Sequence, residues 1–568
     1  MGIAAFLVLL VLPNPLRIPQ NNPSASAEYA PVPGNQQADQ NANFSQTAAA
    51  SSGGIGSNGQ SGIIGGTPPE PPPPQFRPRS KNCVGNPPRQ TEDPLSPPCV
   101  SFYEGDNGGS TWQGVTKDSV TIGYYNDFEV KGDMNKPWKP SDENESATNA
   151  QNSYYYTYHV RTVKALLRYF SARYQTYGRA VKMIAFHSKS GLGTAPPQRD
   201  AEALVFNHDH HPFALTVLVQ NAQSIALDMK ERKVPVFGWN YDVPVSYYND
   251  AAPYFWSVVP DQESNADFTA SMICRKLKGQ TAKYSIDPDL QGRKRTFALL
   301  YTNYTMRGPY LEQVAAALQK SVMDHCGMKF DYVKQYNQDG DSDAAPMMTD
   351  LKQKHVTTIV CYCVAQETEL SIPKFQNAAN GISYFPEWMF DSVTAMDRAL
   401  WERNYQSASQ SPPFGVSYLW RLPAFKSTYA YEAYLQEEPK SEPNLRFNFE
   451  IYHVFLNLFE AIQAAGPKLT PENVEKGMFT FAYQDPSNPW IPTGSYGPGG
   501  PSPYTFLDTS MAWWWDPTGT PPGGKPGEGC IRVMYGGRRF YDNQLPQGDA
   551  DMFDKTDPCT EDERRQRQ

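Results

Sequence analysis

The sequence predicts an α/β architecture of two doubly wound, Rossmann-like lobes joined by a hinge, and three observations carry that reading. The chain has 568 residues, well past the roughly 250–300 at which a single hydrophobic core stops growing. Between Gly114 and about residue 480, short apolar strands alternate with amphipathic helices, the pattern of parallel strands covered on both faces. The alternation runs once and starts afresh near Glu263.

The first lobe is expected over residues 114–260, with strands at 119–125, 181–187, 213–219 and 234–239 and helices at 158–177, 198–206 and 222–232. A second lobe is expected over 261–391. It opens with a helix at 263–277, and strands at 296–301, 329–335, 357–363 and 387–390 then alternate with helices at 310–325, 344–354 and 372–380. Residues 392–480 return to the first lobe with closing helices at 447–465 and 471–477, the second opened by Thr470 as N-cap with Pro471 at its first position. Lobes of this kind bind ligands at the carboxyl ends of their strands.

The ends of the chain read differently. An apolar run from Ile3 to Leu12 matches a signal-peptide core and is too short to span a bilayer, so residues 1–18 are expected to be a signal or membrane-anchor segment. The protein is then exported, extracellular or held at the cell envelope, with membrane contact only through that segment. Residues 19–113 read as a disordered tether, because Pro19 to Ser80 is mostly Asn, Gln, Ser, Ala, Gly and Pro and cannot bury enough surface to offset the entropy of ordering.

Eight cysteines fit an oxidising compartment. Cys83 with Cys99, and Cys530 with Cys559, close short loops in Pro/Gly-rich sequence, while Cys274 and Cys326 end successive helices and are placed to pair. Cys361 and Cys363, two apart on one strand face, are poorly placed to bridge each other, and strand geometry leaves their state open. Residues 481–568 read as an extension whose two short strands, pinned by Cys530 and Cys559, form a hairpin with Trp513, Trp514 and Trp515 packed on a lobe; a Trp platform for a glycan or aromatic ligand is the sharper alternative.

Six segments occur in the order and spacing of a known family: GVTKDSVTIGYYND, YGRAVKMIAFHS, ALTVLVQNAQSIALDMKERKVPVFGWNYD, APYFWSVVPDQESNADFTASMI, RTFALLYTNYTMRGPYLEQVAAAL and DSDAAPMMTDLKQKHVTTIVCYCV. Over roughly residues 114–480 the chain resembles the type I periplasmic solute-binding proteins of the leucine/isoleucine/valine-binding kind, which serve ABC importers. The resemblance implies two lobes joined by three crossings, a small-molecule ligand between them and an ABC permease as partner. Hinges are expected near Pro260 and Asp391. Asp391 aligns with a family acid that receives a ligand ammonium, and Asp343 with a helix N-cap.

The departures fall at the mouth of the cleft. Val219, Gln220, Asn221 and Ala222 replace a Gly-rich turn, Arg307 and Gly308 replace a Tyr-Gly pair, and the first strand-to-helix loop is enlarged around KGDMNKPWKPSDENES. An aliphatic amino acid is therefore not assumed as ligand.

The candidate binding residues end the strands. Tyr125, Asn126 and Asp127 follow the first, Gln220 and Asn221 the third, and Asn240, Tyr241 and Asp242 the fourth. On the second lobe the places are held by Asn303, Tyr304 and Arg307, then Gln366 and Glu367, then Asp391. Amides, phenols and a few charges hold a small polar solute by directed hydrogen bonds, although turns also favour such residues for backbone reasons.

Lys plus Arg number 50 against 59 Asp plus Glu, for a formal net charge of −9 without a basic cluster, so nucleic acid is not an expected partner. No nucleophile elbow, HExxH or P-loop spacing occurs, and no enzymatic activity, cofactor or metal is expected. His208, Asp209, His210 and His211 are consecutive, and adjacent ligands rarely converge on one ion; a solvated loop is the better reading. Asp339, Asp341 and Asp343 begin like a calcium loop, but Ala344 stands where its glycine belongs. The expected function is capture of a small polar molecule, an amino acid or related compound, for an ABC importer by a monomer. A ligand-sensing receptor on the same fold is the alternative.

Overall fold

The computed structural model describes residues 83 to 560 apart from short intervals, among them 91–98, 127–130, 137–149, 188–195, 219–222, 239–242, 303–309, 392–395, 420–425 and 484–492. A small ribbon, β1 (Cys83–Val84) with β2 (Arg89–Gln90), precedes the first sheet. That sheet contains β3 (Ser119–Asn126), β4 (Gly132–Asp133), β5 (Ala180–His187), β6 (Ala214–Val217), β7 (Val236–Gly238) and β8 (Phe255–Ser257). Its helices are α1 (Ala150–Arg173), α2 (Pro196–His210), α3 (Gln223–Glu231) and α4 (Val245–Ala251). The order is β4-β5-β3-β6-β7-β8, with only β4 antiparallel to its neighbour. The chain direction across the sheet therefore reverses between β3 and β6, the switch point at which such sheets open a crevice. β3 is buried along almost its whole length because both its faces are covered, and a Cβ on Gly123 would collide with Phe206 of α2.

The second lobe opens with α5 (Gln262–Met272), whose N-cap Asp261 accepts the Ser264 N–H at 2.8 Å. A π-helical turn carries it on to Leu277, the end expected from sequence. Then follow β9 (Phe297–Thr302), α6 (Tyr310–Cys326), β10 (Tyr332–Tyr336), α7 (Ala344–Gln353), β11 (Thr358–Tyr362), the ribbon β12 (Ala365–Gln366) and β13 (Glu369–Leu370), α8 (Ser371–Gly381), β14 (Glu387–Phe390) and β15 (Phe414–Ser417). The parallel order β10-β9-β11-β14-β15 repeats that of the first lobe, with its own reversal between β9 and β11.

The chain stays in the second lobe beyond Asp391. The second crossing lies after Ser417, not at Asp391, because β15 adds one more parallel strand. FGVS is short and contains Gly415, which weakens its strand signal; the glycine is required because a Cβ there would run into the Phe390 carbonyl oxygen. Helices α9 (Tyr429–Glu437), α10 (Asn448–Ala465) and α11 (Pro471–Met478) then pack in the first lobe's core, Thr470 capping α11 as expected. A ribbon of β16 (Ala482–Tyr483) and β17 (Gly494–Ser495) follows. Tyr496, Tyr504, Phe506 and Leu507 also belong to the first core, and a third crossing at Asp508 returns the chain to the second sheet.

There β18 (Thr509–Asp516) lies antiparallel to β15, and β19 (Cys530–Val533) and β20 (Phe540–Tyr541) pair with β18. The expected C-terminal hairpin is thus a continuation of the second sheet. Trp513, Trp514 and Trp515 are buried in its two faces, so they form core and not a binding platform. Disulfides join Cys274 to Cys326 and Cys530 to Cys559, and Cys99 is also disulfide-bonded; the Cys83 side chain lies outside the described residues. Cys361 and Cys363 are joined as well, their Cα atoms 5.0 Å apart at the frayed end of β11, which corrects the expectation from strand geometry. Asp343 occupies the N-cap position of α7, yet its carboxylate accepts the Asn337 N–H at 2.7 Å and caps nothing. His208 and Asp209 lie on the exposed last turn of α2, not in a following loop.

Candidate functional site

The carboxyl ends of both sheets are where the sequence places its binding residues. Gln220, Asn221, Asn240, Tyr241, Tyr304 and Arg307 lie outside the described residues, as do Asp127, Asp242, Asn303 and Glu367. Gln366 ends β12, and its backbone pairs with Glu369. Tyr125, Asn126 and Asp391 are described, and each is buried.

Tyr125 and Asn126 end β3 at the switch point. The Tyr125 ring packs 4.8 Å from that of Phe186, and the Asn126 amide donates to the Phe186 carbonyl at 3.0 Å, fastening β3 to β5. Both are part of the frame of the first lobe's rim. Beneath them Tyr124 and His159 form a hydrogen bond of 2.6 Å, and burial pushes the imidazole down to about 3, so it is neutral.

Asp391 follows β14 on the facing rim. Its Oδ2 accepts the side-chain amide of Asn265 at 2.9 Å, and Asn265, itself buried, is set one turn into α5 by the Asp261 cap. Sequence reading placed Asn265 on a helix without assigning it a role; a partner 126 residues away leaves no local signal. Behind Asp391 the chain carries two further buried acids, Asp397 and Glu402. Asp397 accepts the Ser417 hydroxyl, and burial, followed by the Asp397 charge, holds the Glu402 carboxyl well above the usual carboxylate range. Arg398, beside them, reaches Glu450 of α10 at 3.4 Å, an ion pair between the lobes.

Two surface hollows lie away from these rims. One of about 600 Å³ beside Arg532 and Asp557, and one of about 450 Å³ beside Arg179, both open at the amino ends of the parallel strands. Arg179 donates to the carbonyls of Asn107, Gly109, Thr116 and Pro467, a structural role that ties the segment before β3 to the first lobe. No group of three or more His, Cys, Asp or Glu suited to a metal ion occurs among the described residues, and no described helix is long and apolar enough to cross a membrane.

Two sheets whose parallel strands share one order, joined by three crossings, define a two-lobed protein of the periplasmic-binding kind. The periplasmic binding protein family model matches residues 158–502, and the chain belongs to that family. Among solved structures it is similar to an ABC transporter solute-binding protein from R. palustris in complex with 4-hydroxybenzoate, at 15% identity over 77% of this chain and 100% of that one, with a TM-score of 0.50. It is also similar to a leucine-, isoleucine-, valine-, threonine- and alanine-binding protein from Brucella ovis, at 9% identity over 76% of this chain and 98% of that one, with a TM-score of 0.49. No curated protein matches the sequence.

Proposed function

We propose that this protein is an exported receptor that captures a small polar molecule bearing an ammonium group between its lobes and delivers it unaltered to an ABC importer. The observation that carries the reading is Asp391, a buried carboxylate at the carboxyl end of β14 whose orientation is fixed by Asn265. A carboxylate so held receives a cation without reorganising, and charge-assisted hydrogen bonds are the stronger ones. From their sequence positions after strands we assign the amides and phenol of Gln220, Asn221, Asn240 and Tyr241 to the rest of the solute, with Tyr304, Arg307 and Gln366 as further candidates on the second lobe. Tyr125 and Asn126 support the first. Closure about the three crossings lets one ligand bridge both lobes, and the closed state gains only what those simultaneous contacts contribute.

The family and the solved structures similar to it are binding proteins, which supports a role without chemistry. The amino-terminal apolar run supports export. The test is to unfold the purified protein, identify any released small molecule by mass spectrometry, and titrate the refolded protein by calorimetry with that molecule and a panel of amino acids and aromatic acids. One-to-one binding of an amine-bearing solute supports the proposal; preference for amine-free acids removes the role assigned to Asp391.

A further inference from the structure

The three crossings are fastened to one another, and the fastening comes from the carboxy-terminal segment. The first and third run side by side: the Ser257 and Phe506 N–H groups donate to the carbonyls of Tyr504 and Ser257, and the Leu507 N–H to that of Val258. Asp261, fully buried at the end of the first crossing, also accepts the Thr505 hydroxyl at 3.2 Å. The second crossing joins them through Arg539. Its guanidinium donates to the carbonyls of Tyr418 at 2.8 Å and Leu419 at 3.1 Å, and to the hydroxyl of Thr509 at 3.1 Å and the Thr509 carbonyl, so one side chain grips the chain on both sides.

We infer that the segment after Leu507 acts as a brace on the hinge, with Arg539 locking the second and third crossings into one unit. Arg539 precedes β20, which pairs with the start of β18, so the fork is presented from a fixed backbone. The segment is in turn fixed to the second lobe by the pairing of β18 with β15, by Lys276 with Asp551 at 2.5 Å, and by Tyr284 donating to the Asp549 carbonyl, while the Cys530–Cys559 disulfide closes it on itself. Arg539 and Thr509 both lie beyond residues 158–502, the extent of the family match, so the brace is added to the shared two-lobed frame.

The physical reason for an arginine is geometric. A planar fork with five donors satisfies buried carbonyls on two strands at once, which a lysine ammonium on a flexible stem cannot hold in one geometry. The site is nearly sealed from water, so removing the fork leaves the Tyr418 and Leu419 carbonyls without these donors. Lobe closure bends all three crossings. With the brace intact they bend together, as one hinge; without it the second crossing opens independently. The inference does not depend on what the cleft binds.

Hydrogen exchange read by mass spectrometry on the full, disulfide-intact chain tests it without any ligand. Arg539→Met should speed exchange at Tyr418–Leu419 and at Thr505–Thr509 by about 10-fold or more, while peptides from β3 and β9 keep the wild-type rate; Arg539→Lys should fall between. Should Arg539→Met fail to fold, Thr509→Val removes one acceptor of the fork and should accelerate the same peptides to a smaller degree. Unchanged exchange at the crossings, or acceleration spread evenly through both lobes, would overturn the brace.

Discussion

The side-chain amide of Asn265 donates to Asp391 Oδ2 at 2.9 Å, joining the first helix of the second lobe to the end of its fourth parallel strand. The same helix begins at Asp261 on the first crossing, so the helix that starts at the hinge also orients the carboxylate assigned to the ligand. Asp391→Asn keeps the size of the side chain and removes its charge. Affinity for the solute recovered from the protein should fall by roughly 2–3 kcal/mol, the worth of a charge-assisted hydrogen bond. Calorimetry measures the loss, and an unchanged dissociation constant would exclude the ammonium role.

A buried ionic network ties the base of the second lobe. Arg295 donates to Glu387 at 2.7 and 2.9 Å and to Asp549 at 2.9 Å, with the Arg295 and Glu387 side chains sealed from solvent. Arg295→Met strands the Glu387 carboxylate in the interior and should cost about 3–5 kcal/mol. The double variant Arg295→Met with Glu387→Leu removes the stranded charge and should recover part of that loss in urea unfolding. A double variant weaker than the single one would show that shape, not charge, dominates.

His325 gives the protein a pH signature. Its Nε2 faces Asp542 at 2.7 Å, and the hydrogen bond to that carboxylate, acting against burial, raises the imidazole from 6.5 to about 9. Because the folded value is the higher, the interaction contributes fully below pH 6.5 and is lost as pH rises through about 9. Urea midpoints of wild type and Asp542→Asn should therefore differ at pH 6 and converge near pH 10. A gap independent of pH would contradict the ion pair.

The Cys530–Cys559 bridge spans 29 residues and holds the extension against β19. Mass spectrometry of the exported protein without reductant should recover these two cysteines as one linked peptide pair. Cys530→Ser with Cys559→Ser should destabilise the fold by roughly 3 kcal/mol, as expected for closing a loop of this size. Free thiols at both positions in the exported protein would contradict the bridge.

Sequence alone reached the frame further than the site. β11 is legible as a short apolar run and β5 by alternation, with Val181, Met183 and Ala185 buried beside the exposed Lys182, and α6 and α10 because their lengths and periodicity leave no competing reading. β15 escaped because four residues containing Gly415 carry no period, and its absence displaced the second crossing to Asp391. The tryptophans of β18 were legible as apolar but not as a sixth strand, since nothing local says which sheet edge accepts them. Tyr125 and Asn126 were correctly placed at a strand end, but their packing against Phe186 depends on register with β5. Asn265 and Arg539 were invisible as partners because each acts across more than a hundred residues.

The central claim is capture between closing lobes, and small-angle scattering tests it most directly. Protein stripped of its solute by unfolding and refolding should show a smaller radius of gyration when the recovered solute is added back, with weaker compaction in Asp391→Asn at the same concentration. The solute should be recovered chemically unchanged afterwards. A radius indifferent to bound solute, or a solute converted to another compound, would contradict the account.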